Sequence, residues 1–524
     1  MEKPDESRMA HDAGIDPDVD VVVIGYGPVG RMLALKLGLH GHRVLVVEKQ
    51  AETYLLPRAA HIDDEACRIL QSVGASPARM MDAIEPYDDF YEWRSGDRET
   101  ILRLDWRGRG PSGWQVANFF NQPLLEKHLS DLVTENPNVE VEFGATATAM
   151  VQHAGHVDVS IAHEGRSRVV SARYVVGADG ARSAVRNWIG EDATDLGYFH
   201  DWLVVDLVMK TDEIVFDPPA WQLCDPERPT TLVPSGPGRR RFEFMKLPGE
   251  TAAELNREST AWSLLDAWGI GPEQAILERH SLYTFQARWQ NNWSAGRAFI
   301  VGDAAHLMPP FAGQGMCSGL RDALNLEWKL DLVLRGLAPE PLLDTYETER
   351  KEHVRAFIDS SMTLGEVICV TDPEAAAARD RELRGDLLAG AEPPARPLPR
   401  LGSGFFDETR GGGVLSIQPV VDGGSGEMLL DDVLGTAGSL LTLGSLDAVS
   451  ECVREQLAAR GVECRAITES HGEFALADPR GEIRAWLDEH DARAVIVRPD
   501  FYVFGFARDD EELRGLAARF VGGE

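Results

Sequence analysis

Val19-Asp20-Val21-Val22-Val23-Ile24-Gly25-Tyr26-Gly27-Pro28-Val29-Gly30 decides the fold of this 524-residue chain. Val19 to Ile24 is an apolar, β-branched run and reads as a buried strand. Gly25, Gly27 and Gly30 space a GxGxxG turn. Val29, Leu33 and Leu37 then recur four apart, as on a helix that runs to His40 and stops at Gly41. Arg43 to Val47 is a second apolar strand, and Glu48 ends it eighteen residues after Gly30. Together these form a βαβ unit with a dinucleotide fingerprint. Gly25 permits the tight turn, Gly27 lets backbone approach a pyrophosphate, and Gly30 lets helix and strand pack closely. Pro28 and Val29 open the helix whose N-terminus faces the phosphates. Glu48, with Lys49 beside it, is placed for the adenosine ribose.

A second glycine–acid turn lies far downstream. Ala298 to Val301 reads as a strand and leads into Gly302-Asp303, then Pro309-Pro310, then Gly313-Gln314-Gly315-Met316-Cys317, before helical spacing from Gly319 to Arg335. An acid at a strand's end can hold sugar-like hydroxyls, and free N–H groups at a helix start can hold partial negative charge. A ribityl chain and the electron-rich edge of a reduced isoalloxazine make those demands, so the dinucleotide is read as FAD. Three further pieces agree. Pro57 to Ala66 carries Arg58, which can pair with a diphosphate. Phe119 to Leu129 puts Gln122 before a helix containing Pro123. Arg173 to Val176 is a strand ending at Gly177-Ala178-Asp179-Gly180.

The length calls for two or three domains. A net charge of −33 without a basic block argues against nucleic-acid and anionic-membrane partners, and no apolar run approaches the roughly 20 residues that span a bilayer. Six scattered cysteines are too few for a disulfide scaffold and lack metal or CxxC spacing, so no metal site is expected and a reducing cytoplasm is. The expected domains are a disordered leader over 1–18, a discontinuous FAD-binding domain over 19–190 and 294–390, an antiparallel substrate sheet over 191–293, a proline-rich linker over 391–412 and a small α/β domain over 413–524. Trp202, Trp221, Phe242, Phe244, Tyr283 and Phe285 are the aromatic pocket candidates of the inserted sheet.

In this order and at these separations, the GxGxxG turn, Gly177-Ala178-Asp179-Gly180 and Gly302-Asp303 resemble the single-component FAD-dependent aromatic hydroxylases, nearest their hydroxyphenylpropionate branch. Arg58-Ala59 with Asp63-Asp64-Glu65-Ala66 supports that likeness. So do Leu223-Cys224-Asp225-Pro226 with Arg228-Pro229, Arg240-Arg241-Phe242-Glu243-Phe244-Met245, and Arg321 to Leu330. The resemblance implies an α/β fold with a Rossmann-like FAD domain, an inserted antiparallel sheet and a thioredoxin-like tail. It implies that Arg58 and Gln122 hold the diphosphate and ribityl region, that Asp179 serves FAD and nicotinamide cofactor, and that Asp303 contacts the ribityl chain. Backbone around Gly315, Met316 and Cys317 faces the pyrimidine edge, Cys317 standing where asparagine is usual. Asp372 to Phe406 is shorter and richer in proline than in the family.

The implied reaction is hydroxylation of a phenolic substrate with NADH or NADPH and O₂ through a flavin C4a-hydroperoxide, by a monomer or homodimer. A phenol near pKa 10 needs a proton acceptor at neutral pH. His61 is the first candidate and Tyr283 the second, while Pro309, Pro310 and Gly313 shape the flavin's front. His306 reads as a structural hydrogen-bonding residue. An acidic substrate tail would need Arg240 or Arg241. The alternatives are hydroxylation of a larger, polyketide-like aromatic and a non-catalytic FAD-binding protein. No WxWxIP halogenase motif and no FxGxxxHxxxW Baeyer–Villiger motif is present.

Overall fold

The computed structural model describes residues 16–522 apart from 54–55, 77, 191, 395, 425, 436–437, 470–471 and 473. Most of the expected leader, residues 1–15, lies outside the described residues. Val19–Ile24 is the central strand of a sheet in which Val44–Glu48, Arg166–Gly177, Ala298–Ile300 and Val139–Phe143 run parallel to it or its neighbours. A parallel strand covered on both faces reads as an unbroken apolar run, and Val21, Val22 and Val23 are fully buried. The helix Pro28–Leu39 starts directly after Gly27, with Pro in its first turn where no N–H is missed.

The inserted sheet has eight strands. Ala193–Met209 and Ala275–Gln290 form its long central ladder, with Arg239–Met245, Thr230–Pro234 and Trp221–Cys224 beyond. It extends further than residues 191–293. Trp221–Cys224 pairs in parallel with Phe90–Ser95, which pairs with Thr100–Asp105, so strands from the first part of the chain complete it. Their alternating pattern is visible in sequence, but their partner lies in a distant segment.

In the C-terminal unit the strand order Val462–Thr468, Gly438–Thr442, Ala494–Val497, Val503–Ala507 joins one parallel to two antiparallel pairings. With helices Glu451–Ala459, Glu482–Glu489 and Asp510–Phe520 this is the thioredoxin-like arrangement. Cys452 and Cys464 are free thiols, and burial pushes that of Cys464 up to about 11, so it is protonated at neutral pH. The proline-rich segment is laid along the FAD domain. The Gly402 N–H donates to the Glu349 carbonyl at 2.9 Å, and Arg396 bonds Asp64.

A charged clasp joins the tail to the rest. Arg498 donates to both oxygens of Glu349, at 3.0 and 2.8 Å, and Lys329 and Asn325 each donate to the same carboxylate at 2.8 Å. Tyr502 donates to Glu65 at 2.9 Å and accepts from His353 Nε2 at 3.0 Å. On the far hairpin, His153, His156 and Asp158 bring ligand-type atoms within 4.8 Å of one another, with His153 Nε2 3.2 Å from the carboxylate and the two imidazoles stacked. None of the three lines the cavity described below.

Candidate active site

A cavity of about 380 Å³ is walled by the GxGxxG turn, the Arg58–His61 segment, the acid turn with Met308, Pro310 and Phe311, and one face of the inserted sheet. The two glycine–acid turns meet here. Gly25 has φ +103°, and a Cβ added to it would overlap the Ala178 carbonyl. A Cβ on Gly30 would overlap the Gly25 carbonyl. At the other turn, Gly302 and Gly319 close over Val29, and a Cβ on Gly319 would come within 2.7 Å of Val29 Cγ2. First and second fingerprints therefore interlock through the first helical turn.

Each candidate side chain has a definite place. Glu48 accepts from the Tyr26 and Gln50 N–H groups at 2.8 Å, which fixes its carboxylate beside the glycine turn, and Lys49 is exposed next to it. Gln122 Oε1 accepts from the N–H groups of Arg58 and Ala59 at 2.9 and 2.8 Å, so it shapes the Arg58 turn. Asp179 Oδ2 accepts from the Ala184 N–H at 2.6 Å, while its buried Oδ1 has no partner among the described residues. Asp303 opens onto the cavity. Its protein surroundings raise its pKa by desolvation, with His306 and Arg58 opposing. Behind the turn, Asp322 accepts from Gly302 N–H at 3.0 Å, His306 Nε2 at 2.6 Å and Arg350 at 2.9 Å, which gives His306 the structural role read from sequence.

The helix Gly315–Leu334 begins at the cavity. Its first internal bond is Ser318 N–H to the Gln314 carbonyl, and no side chain caps it. The N–H groups of Gly315, Met316 and Cys317 thus precede the first internal bond of the helix, and this end of the helix carries partial positive charge. Cys317 turns its sulfur back toward the Gly313 carbonyl at 3.6 Å and does not line the cavity. Gly313 adopts φ +63°, and a Cβ there would sit 2.5 Å from His61 Nδ1.

His61 lines the cavity in a stack with Trp106 (4.8 Å between centroids), which stacks in turn on Tyr91 (4.6 Å). Its Nδ1 is 3.4 Å from the Gly313 carbonyl, which can only accept, so Nδ1 carries the proton. Nε2 then presents a lone pair and has no partner among the described residues. Burial holds the imidazole down to about 4, so it is neutral at pH 7 and a weak base.

The inserted sheet corrects part of the pocket expectation. Side chains alternate along a strand. Arg241 and Glu243 face the cavity, so Phe242 and Phe244 face the opposite side. There they pack with Trp221, Trp268 and the helix Glu258–Asp266 in a separate apolar core. Trp221, Phe242 and Phe244 therefore do not line the pocket. Trp202 supports it from behind, stacked on Phe285. Tyr283 and Phe285 do line it. Sequence reasoning missed Tyr91, Trp106, Thr231 and Glu243. Glu243 had a signal: it is a charge set between Phe242 and Phe244, on the alternate face of the strand with Arg239 and Arg241.

Arg241 is not available to a substrate carboxylate. It donates to Asp206 at 2.7 Å and to the carbonyls of Arg58 (2.5 Å) and Pro57 (3.3 Å), tying the sheet to the Arg58 turn. Arg240 donates to the Pro219 carbonyl at 3.1 Å.

Interlocked glycine turns, an uncapped helix start, an Asp179 oxygen without a partner among the described residues and an aromatic-walled cavity fit a bound FAD, the cofactor of a flavoprotein. A family model described as "FAD binding domain" matches residues 18–361, and one described as "HcaD C-terminal domain" matches 413–521. Among curated relatives, a probable NADH-specific resorcinol 4-hydroxylase of Rhodococcus jostii is 37% identical over 96% of this chain and 94% of its own. A 3-(3-hydroxy-phenyl)propionate/3-hydroxycinnamic acid hydroxylase of Mycobacterium sp. is 35% identical over 94% of this chain and 89% of its own. Of solved structures, the flavin-dependent monooxygenase PieE with FAD and substrate superposes with a TM-score of 0.81 at 22% identity over 97% of this chain and 100% of its own, a likeness of fold. The chain belongs to the single-component FAD-dependent aromatic hydroxylases, and it is an enzyme that uses FAD and NAD(P)H. Among the described residues, no helix is long and apolar enough to cross a membrane.

Proposed function

We propose that the substrate is a small, uncharged dihydroxybenzene of the resorcinol type. The observation that carries this reading is a pair of acceptors on one aromatic-walled cavity: His61 Nε2, which has no donor among the described residues, and the Glu243 carboxyl, whose nearest cation, Arg241 Nη1, stands 4.0 Å away. Two phenolic hydroxyls would satisfy both. A substrate carboxylate would instead meet Glu243, with Arg241 already engaged. The resorcinol hydroxylase among the relatives supports the reading. Relatives named for hydroxyphenylpropionate support the second reading, an anionic phenol.

FAD, when bound and reduced by NAD(P)H, supplies O₂ activation and oxygen transfer to the ring. The chain's own residues would do the rest. Glu48 would hold the adenosine ribose, Arg58 and the first helix's N-terminus the diphosphate, and Asp303 the ribityl hydroxyls. The N–H groups of Gly315, Met316 and Cys317 would support negative charge at the pyrimidine edge. Met308, Pro310 and Phe311 would exclude water, and Trp106 and Tyr91 would flank the ring. Six free thiols support a cytoplasmic setting.

The test is oxygen-coupled oxidation of NADH and of NADPH with resorcinol, 3-(3-hydroxyphenyl)propionate and a polycyclic phenol, with products weighed by mass spectrometry. Resorcinol should exceed the others in kcat/KM for oxygenated product by about tenfold or more, the scale of one misplaced charge or unpaired polar group. A higher kcat/KM for the propionate would overturn the reading.

A further inference from the structure

His61 can orient a phenolic hydroxyl but is poorly suited to take its proton, and the inserted sheet offers a second group. Glu243 is 7% exposed and lines the cavity. Its nearest cation, Arg241 Nη1, is 4.0 Å away and donates elsewhere, and no side chain among the described residues hydrogen-bonds its carboxyl. Facing it in register on the next strand is Thr231, whose buried hydroxyl also lacks a partner among the described residues. Buried carboxyls are ordinarily paired or hydrogen-bonded. A bare carboxyl beside a bare hydroxyl, both on the wall of the reaction cavity, is accounted for by a donor that arrives with the substrate.

We propose that Glu243 is the catalytic acceptor of the substrate's phenolic proton, with the Thr231 hydroxyl sharing the hydrogen bond; the inference rests on the phenolic-substrate reading above. In the step, the substrate O–H bond breaks and its electron pair stays on the phenolate oxygen. The proton passes to a Glu243 carboxylate oxygen, and the same carboxyl returns it to the product. No further reactant is consumed.

The electrostatics agree. Burial pushes Glu243 up to about 7, with Arg241 on its own strand opposing and Asp206 on the neighbouring strand adding to the rise. Tyr91 faces it from the strand Phe90–Ser95, and His61, Tyr283, Asp303 and Arg58 share the cavity. A phenol near pKa 10 stands about three units above Glu243 and about six above His61. The carboxylate form prevails above pH 7, so turnover should rise through that pH.

The holoenzyme tests this with whichever phenol the substrate screen shows to be turned over, so a wrong substrate class and a wrong acceptor are told apart. Wild type should lose kcat/KM for oxygenated product as pH falls through about 7. Glu243→Gln should lower kcat/KM by about 10²-fold or more and abolish the acid limb. Glu243→Asp should restore part of each. An acid limb that survives in Glu243→Gln, or vanishes only in His61→Gln, would overturn the proposal. If Glu243→Gln does not fold with FAD, Thr231→Val carries the test: an acid limb displaced from its wild-type pH supports the assignment and an unchanged one refutes it.

Discussion

Gly25→Ala is expected to yield protein without flavin. At φ +103° an L-residue is strained by about 1–3 kcal/mol, and the new methyl would overlap the Ala178 carbonyl, at the cost of about 1–3 kcal/mol more. Two turns have to separate to relieve it, and both belong to the FAD cradle. FAD affinity should fall by at least about 100-fold, which at some 2.7 kcal/mol is well within that strain. Gly27→Ala makes the informative partner. Gly27 has an ordinary backbone conformation, and a Cβ there meets no protein atom within 4 Å. That variant should fold as stably as the wild-type apoprotein yet bind FAD weakly, because its methyl stands where backbone and pyrophosphate must approach. Visible absorbance and apoprotein melting temperature, measured for both, separate the effects. Tight FAD binding by Gly25→Ala would contradict the placement of the cofactor.

Glu349→Ala should have the largest effect on stability. Its carboxylate is fully buried and takes donors from Arg498, Lys329, Asn325 and the Phe405 N–H (2.7 Å). Removing it leaves Arg498 with the Asp500 carboxylate and the Phe405 carbonyl, and leaves Lys329 with only the neutral Asn325 oxygen among its described hydrogen-bond partners, a loss of about 3–5 kcal/mol for a broken buried pair, out of a total of about 5–15. The same group sets an acid limit. Despite burial, Arg498 and Lys329 hold Glu349 down to about 2. A depressed carboxyl pKa stabilises the fold fully above the unfolded value near 4.5, and that contribution is lost as pH falls through about 2. Urea unfolding of wild type and Glu349→Gln from pH 7 to pH 3 checks the sign. The gap between them should narrow on acidification, and a constant gap would show that the charge is not what stabilises.

What was legible in the sequence was local or strongly periodic. The Val-rich strand, the glycines with positive φ and the helix start after Gly313 follow from backbone chemistry within a few residues of one another. The pocket was less legible, because it is built by pairing at a distance. Phe90–Ser95 reaches the cavity only by aligning with Trp221–Cys224, and nothing local in either announces the other. Alternation by itself left open which face of Arg239–Met245 is wet. The aromatic face looked like a ligand wall, yet Phe242 and Phe244 found an apolar core with Trp268, and the charged face with Glu243 took the cavity. Arg241 looked like a substrate clamp and is instead a strut between Asp206 and the Arg58 turn.

The clasp at Tyr502 ties the tail to the cofactor's cradle. From Tyr502 one branch runs through Glu65 and Arg321 to Gln314, at the start of the helix that opens on the cavity, and another through His353, Arg350 and Asp322 to Gly302. A chain cut before Arg498 therefore keeps the second glycine turn but loses these props behind it, and its grip on FAD is expected to slacken. Such a truncated chain should let flavin wash away where the 524-residue chain keeps it; equal retention by both would show that the tail is dispensable for loading.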